Sequence, residues 1–262
     1  MVLKLRIENS DGAVLAQNAG DDRVCLVYDK AYNNGDFIVM EAESSDCYLV
    51  VQLEDSISPA FVFMGGHSHK MVVPFLEKRV SYSPKSFSGE LHLLTVRLAE
   101  EREVTTYKNL ALNPFDCHEN ICLFPHSSAN VETRGEAVFA ARNAVDGVSA
   151  NAGHGTWPYQ SWGINQNPDA QMRIEFGRKV KTDKAVITIR ADFPHDSWWT
   201  DGILAFSDGS EVRFQLIKTD QPQTIEFESC QCEWVLLKNL IKADDDSPFP
   251  ALSQIEIWGA ES

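Results

Sequence analysis

Residues 167–190 read NPDAQMRIEFGRKVKTDKAVITIR and begin with a cluster of turn-forming residues. After that cluster, Ile174 and Phe176 alternate with the charged Arg173 and Glu175. A period of two places apolar side chains on one face of a strand and polar side chains on the other. The stretch therefore predicts a turn that leads into a half-buried β-strand.

The same alternation recurs along the whole chain, in Leu3, Leu5 and Ile7, in Leu94, Val96 and Leu98, and in Val212, Phe214 and Leu216. Turn clusters such as NNGD, SPKS and DGS separate the runs. One segment, Gly135 to Val145, is rich in helix formers and predicts a short helix. Many short strands with little helix predict an all-β fold made of β-sandwich, jelly-roll-like domains.

The 262 residues are enough for two domains, because single domains cluster near 100 to 150 residues. Pro114 breaks the run that ends at Asn113. We therefore expect an N-terminal β-sandwich over residues 1–113 and a second β-sandwich over residues 114–262.

The formal net charge of −15 bears on the class of partner. A field of this sign repels phosphate backbones and anionic membrane surfaces, so nucleic acid and membranes are poor partners. A neutral ligand suits the charge better. The sequence is compatible with a homo-oligomer.

The six cysteines form no CxxC pair and no zinc-like spacing with histidine. The N-terminal residues lack the apolar core of a secretory signal. We therefore expect reduced thiols and a cytoplasmic location.

Four of the six tryptophans lie in two polar segments, GHGTWPYQSWGINQNPDA (153–170) and RADFPHDSWWTDG (190–202). Flat aromatic faces beside hydrogen-bonding side chains suit sugars, whose C–H faces stack while their hydroxyls need partners. The candidate ligand-binding residues are therefore Trp157, Trp162, Arg190, Asp192, His195, Trp198 and Trp199.

Each of these candidates also has a structural interpretation. Trp157 could anchor its loop, and one of the adjacent Trp198 and Trp199 should fill the core because neighbouring residues in an extended segment face opposite ways. Arg190 could serve a structural ion pair, and His195 could cap a loop.

The second half of the chain resembles the discoidin-like, galactose-binding-like β-sandwich family, which includes coagulation-factor type C domains and bacterial carbohydrate-binding modules. The resemblance rests on SSANVETRGEAVFAARNAVDG (127–147), on residues 167–190, on ILAFSDGSEVRF (203–214) and on SQIEIWG (253–259). It implies a galactose-binding-like sandwich that binds carbohydrate. The first half resembles no family.

The resemblance also implies calcium, which the family binds at an N-A-x-D-G loop and at an acidic residue of the closing strand. Asn143 and Asp146 match the loop, whereas Gln254 stands at the acidic position. That difference removes one carboxylate from a site that favours charged oxygen ligands. The alternative is that Asp146 closes the turn by bonding backbone groups.

Three functions follow from these patterns. The first is a carbohydrate-binding protein that uses aromatic loops of the C-terminal domain to recognise a neutral sugar or glycan. The second is a glycan-acting enzyme of glycoside-hydrolase type, with Asp192 and His195 as the residues to test, since no catalytic motif is present and two carboxylates suffice for that chemistry. The third is a protein-interaction or assembly module with tryptophans in its interface.

Overall fold

The computed structural model describes residues 1–151, 153, 155, 157–191 and 197–262. It confirms the predicted all-β fold. The strands are β1 (Val2–Glu8), β2 (Val14–Asp21), β3 (Arg23–Tyr28), β4 (Phe37–Ala42), β5 (Cys47–Gln52), β6 (Ala60–Met64), β7 (Ser68–Val72), β8 (His92–Leu98), β9 (Lys108–Asn109), β10 (Leu123–Phe124), β11 (His126–Ala129), β12 (Trp162–Gly163), β13 (Met172–Ile189), β14 (Trp199–Phe206), β15 (Glu211–Gln215), β16 (Gln223–Lys242) and β17 (Ala251–Glu261). Helix α1 spans Glu101–Thr105, and 3-10 helices span Leu76–Ser81, Thr133–Gly135, Ala137–Phe139 and Ala141–Val145. No helix of the described segments has the length and hydropathy of a membrane span.

Two antiparallel sheets form the first sandwich. One has the strand order β2-β1-β4-β7 and the other the order β10-β6-β5-β8-β3. The predicted inward set of β1, Leu3, Leu5 and Ile7, is fully buried, and so are Leu94 and Val96 of the facing sheet. The period of two in the sequence therefore identified the faces that form this core.

A single eight-stranded sheet folds over the second core. It includes the order β12-β17-β13-β16-β14-β15, and β9 and β11 pair with β17 and β13. The long strand β13 pairs with β11 over residues 172–175 and with β17 over residues 180–189. On one edge, β13 therefore changes its partner along its length, while β16 pairs with both parts of it. Ile174 and Phe176 are buried in the second core, as their alternation predicts.

The chain passes between the two cores near the predicted division at residue 113. Leu110 and Ala111 belong to the second hydrophobic cluster, whereas Phe115 and Leu123 return to the first. In the same way, β9 pairs with β17 and the later β10 pairs with β6. The connecting segment is therefore interleaved with both sandwiches, and the division into 1–113 and 114–262 stays a prediction.

The predicted helix from Gly135 to Val145 is wrong. This segment forms two 3-10 turns interrupted by extended backbone, with ψ of 136° at Glu136 and 150° at Ala140. All five residues of 141–145 are buried. An amphipathic α-helix buries one face, so burial on every side favours an irregular path here over the helical propensity of the sequence.

Candidate functional site

Two of the predicted stacking residues lie in the core. Trp162 is 0% exposed and Trp199 is 1% exposed, and their ring centroids are 6.5 Å apart. The Trp162 indole donates a hydrogen bond to the carbonyl of Val131 at 2.9 Å. The expectation that either ring presents a face to a ligand is therefore wrong.

Their strand positions explain the burial. Trp162 begins β12 and pairs with Leu252, which places it in the sheet despite its polar neighbours in sequence. Trp199 begins β14 and pairs with Lys242. Trp199 is the core member of the adjacent pair, whereas Trp198 is only partly buried and packs against the same cluster.

Arg190 supports the loop that carries Trp157. Its side chain is 1% exposed, and its guanidinium donates to the carbonyl oxygens of Tyr159 and Gly153. Arg190 therefore supports the loop backbone through carbonyl oxygens. Asp192 and His195 lie outside the described residues.

The loop implied as a calcium site is closed by amide groups. Nε2 of Gln254 lies 2.6 Å from the carbonyl oxygen of Asn143, 2.8 Å from Oδ1 of Asp146 and 2.7 Å from the carbonyl oxygen of Ser253. Oε1 of Gln254 accepts a hydrogen bond from the Gly147 backbone at 2.9 Å. The glutamine side chain therefore occupies the space between the loop and the closing strand.

These residues do not fit a calcium ion. Oδ1 of Asp146 also accepts from the Val148 backbone, and Oδ2 accepts from Gln160. Burial raises the pKa of Asp146 to about 6 despite these donors. A hard cation needs several free oxygen ligands with negative charge, and here the Gln254 amide already faces the available oxygens. The alternative interpretation, a carboxylate that closes the turn, is the one the geometry supports.

Trp157 lies at a cleft between the two sandwiches, which we call the Trp157 cleft. The cleft has a volume of about 750 Å³ and is lined by Ser56, Ile57, Ser58, Pro59, Ser81, Tyr82, Ser83, Lys85, Ser86, Leu112, Pro114, Arg142, Asp146, Gly147, Val148 and Trp157. A neighbouring cavity of about 460 Å³ shares Tyr82 and Trp157 and extends to Leu76 and Val80. The two residues therefore line both spaces.

Hydroxyl groups dominate the polar lining that the first sandwich contributes. Ser81 is 3% exposed, and its hydroxyl has no hydrogen-bond partner in the described part of the chain. The hydroxyls of Ser56 and Ser86 bond each other at 2.7 Å. A buried hydroxyl without a partner costs free energy, and a ligand or water in the cleft would supply that partner.

The Tyr82 ring is held on two sides. The guanidinium of Arg142 lies over it at 4.4 Å, and Phe87 meets it edge-on at 5.2 Å with an interplanar angle of 86°. Arg142 is itself fixed by hydrogen bonds to the carbonyl oxygens of Pro114 and Asp116. One wall of the cleft is therefore preorganised.

Sequence reasoning found Trp157 but missed Tyr82 and Ser81. Ser81 is the last residue of the 3-10 helix Leu76–Ser81 and Tyr82 follows it, in a segment, LEKRVSYSPKS, that carries no binding motif. The available signal was a tyrosine in a Ser- and Pro-rich loop, which is common in proteins. Gln254 was noticed only as a departure from the family pattern.

No family model and no curated protein matches this chain. Solved structures of carbohydrate-binding modules are similar to it at low identity. The family 32 module of NanJ from C. perfringens in complex with galactose has 14% identity, covers 58% of this chain and 99% of its own, and has a TM-score of 0.42. A fucose-binding module from Streptococcus pneumoniae has 16% identity over 58% of this chain and 98% of its own, with a TM-score of 0.40. Similarity at this level does not identify a ligand.

The burial of Trp162 leads to a stability prediction. Replacing Trp162 with Ala should lower the free energy of unfolding by about 3–5 kcal/mol, because it removes a large core side chain and leaves a cavity. Urea unfolding followed by far-UV circular dichroism measures this loss. Trp198→Ala is the matched control and should cost less, since Trp198 is only partly buried. Equal losses in the two variants would contradict the assignment of Trp162 to the core.

The Gln254 contacts predict that stability does not depend on calcium. The melting temperature of the wild type should be the same in calcium and in chelator. Gln254→Glu places a second carboxylate beside Asp146, so it should destabilise the chain in chelator and recover in calcium, where a bound ion adds about 2.7 kcal/mol at 100 times its Kd. Differential scanning calorimetry measures both effects.

Gln215→Glu is the control for this substitution. It places a carboxylate at the exposed position 215 beside the half-buried Asp201, to which Gln215 donates at 3.4 Å. Calcium should leave its melting temperature unchanged. A calcium-dependent rise in the wild type itself would show that the Gln254 amide does not replace a cation.

Proposed function

We propose that this protein binds a neutral carbohydrate in the Trp157 cleft, with Trp157 as the stacking surface. The observation that carries the proposal is the position of Trp157, which lines both the cleft and its neighbouring cavity. Trp162 and Trp199 are buried, so they do not compete for this role. The binding surface is then the junction of the two sandwiches, to which the loop of Trp157 contributes.

The composition of the cleft suits sugar rings. Trp157 and Tyr82 offer aromatic surface for the C–H faces of a pyranose. Five serines line the same space, and each hydroxyl can both donate and accept. A sugar hydroxyl has the same double capacity. The cleft volume of about 750 Å³ falls in the range of small-ligand sites, roughly 300–1,000 Å³.

The charges of the lining favour a neutral ligand over an ionic one. Lys85, Arg142 and Asp146 are its charged residues. Arg142 and Asp146 are hydrogen bonded to protein groups, which leaves the exposed Lys85 at the margin. Asp146 is the one carboxylate among the described lining residues, so this set contains no pair of the kind that hydrolyses glycosides.

The first sandwich forms one side of the proposed binding site. It supplies Ser81, Tyr82 and the serines of residues 56–58 and 83–86 to the cleft. The second sandwich supplies Trp157 and the loop 146–148. A ligand in the cleft would therefore contact both units, and the second sandwich alone would bind it more weakly.

Trp157→Ala should weaken sugar binding by about 10-fold or more, because burying an aromatic ring against a ligand contributes roughly 1.5–3 kcal/mol and each 1.4 kcal/mol is a factor of ten. Tryptophan fluorescence and isothermal titration calorimetry measure the change. The panel contains galactose, fucose, glucose, N-acetylglucosamine and their oligosaccharides, and Trp198→Ala is the control with unchanged affinity. Absence of saturable binding across the panel, or full binding by Trp157→Ala, would refute the proposal.

Tyr82→Phe tests the contribution of the first sandwich. It keeps the ring between Arg142 and Phe87 and removes only the hydroxyl, so the affinity should fall about 2- to 10-fold while the fold is unchanged. Tyr107→Phe is the matched control, because it removes an exposed hydroxyl that bonds Asp183 outside the cleft. Equal affinities for Tyr82→Phe and the wild type would remove this hydroxyl from the site.

A further inference from the structure

A second cleft lies on the second sandwich, apart from the residues of the Trp157 cleft. We call it the Phe249 cleft. It has a volume of about 400 Å³ and is lined by Thr133, Arg134, Phe139, Gly163, Ile164, Asn165, Gln166, Ser247, Pro248, Phe249, Pro250 and Ala251. The two clefts share no lining residue.

Three residues that line the Phe249 cleft have a positive φ, a backbone conformation that is unfavourable for residues other than glycine. Arg134, Asn165 and Gln166 have φ of 53°, 49° and 59°. They are three of the eight non-glycine residues with positive φ in the described ranges. Such residues concentrate at functional sites, where the surrounding structure maintains the strain.

Asn165 and Gln166 are the two central residues of a tight turn. The turn is closed by a hydrogen bond from the Asn167 backbone to the carbonyl of Ile164 at 2.9 Å. Positive φ at both central positions defines a type I′ turn, for which Asn-Gly is the preferred pair. Glycine would therefore be less strained than glutamine at position 166.

No hydrogen bond in the described part of the chain accounts for the glutamine. Both amide side chains are exposed, and neither makes a side-chain hydrogen bond within the described part of the chain. The turn itself is fixed from below, because the Asn165 backbone donates to Oγ1 of Thr133 at 2.9 Å. The backbone that carries these two exposed amides is thus held at the rim of the cleft.

The other side of the cleft is apolar and electrically balanced. Phe249 is 41% exposed and stands between Pro248 and Pro250. Arg134 lies over the Phe139 ring, and its charge is matched by Glu136, with contacts of 2.6 and 2.8 Å. The charged group that lines the cleft therefore already has a counterion.

From these observations we infer that the Phe249 cleft is a second binding site for a neutral sugar residue. The exposed Phe249 ring offers a stacking face, and the amides of Asn165 and Gln166 supply a donor and an acceptor each to ring hydroxyls. This site stands independently of the Trp157 cleft. A chain with both would bind two sugar units, and a branched or long glycan that spans both sites would gain from the higher effective concentration.

The test uses the 262-residue chain with Trp157→Ala, so that binding in the Trp157 cleft is weakened from the start. Saturation-transfer difference NMR measures contact with the methyl glycosides of galactose, glucose, fucose and N-acetylglucosamine. We expect saturation transfer to at least one of them. Adding Gln166→Gly or Phe249→Ala should weaken that binding at least about fivefold, since each removes a direct contact.

Asn239→Gly is the matched control. Asn239 is an exposed residue with φ of 52°, so its replacement relieves the same kind of strain outside the cleft. It should leave saturation transfer unchanged. Gln166→Gly should keep or raise the melting temperature, which separates a lost contact from a lost fold.

Two outcomes would overturn the inference. One is the absence of transfer to all four glycosides in the Trp157→Ala chain. The other is transfer that persists in both the Gln166→Gly and the Phe249→Ala chains. Comparison of the wild type with Trp157→Ala reports separately on the Trp157 cleft, so either site can fail without the other.

Discussion

The buried guanidinium of Arg142 connects the parts of this molecule. It is 8% exposed, and it donates to the carbonyl oxygens of Pro114 and Asp116 and to Oδ1 of Asn143. A buried charge is tolerated only when its donors are satisfied, so the connecting segment must keep this path. The same guanidinium lies over Tyr82 of the first sandwich. One side chain therefore fixes three segments: the connecting segment at Pro114 and Asp116, the loop at Asn143, and the Tyr82 wall of the Trp157 cleft.

A buried carboxylate reinforces this junction from the linker side. Asp116 is fully buried and accepts from the backbone and hydroxyl of Ser127, from Nδ1 of His126 at 2.8 Å and from Asn120. These bonds tie the start of the linker to strand β11 of the second sandwich. A buried carboxylate needs several hydrogen-bond donors, and Asp116 has them. These bonds hold the connecting segment in one ordered conformation.

The sequence predicted what depends on local periodicity and missed what depends on tertiary packing. Alternation located the faces of β1, β8 and β13, since a half-buried strand must alternate. It could not assign Trp162, because the polar residues around it say nothing about the pairing with β17 that turns its ring inward. The helix predicted over 135–145 failed for the same reason. Residues 141–145 are all buried, and local propensity does not include that constraint.

Only part of the candidate site could be predicted from the sequence, because the site is formed by segments that are far apart in the chain. Trp157 could be predicted as an aromatic in a polar loop, but its opposite wall comes from residues 56–59 and 81–86. No local pattern links those segments.

The amide of Gln254 links the closing strand β17 to the loops at this junction. It bonds Asp146, and Asp146 accepts from Gln160, which lies three residues after Trp157. The closing strand, the loop 146–148 and the Trp157 loop therefore share one hydrogen-bond network that uses amides and a carboxylate. Arg190 adds its bond to the carbonyl of Tyr159. A binding loop that is fixed in this way loses little conformational entropy when a ligand arrives, so more of the contact energy is available as affinity.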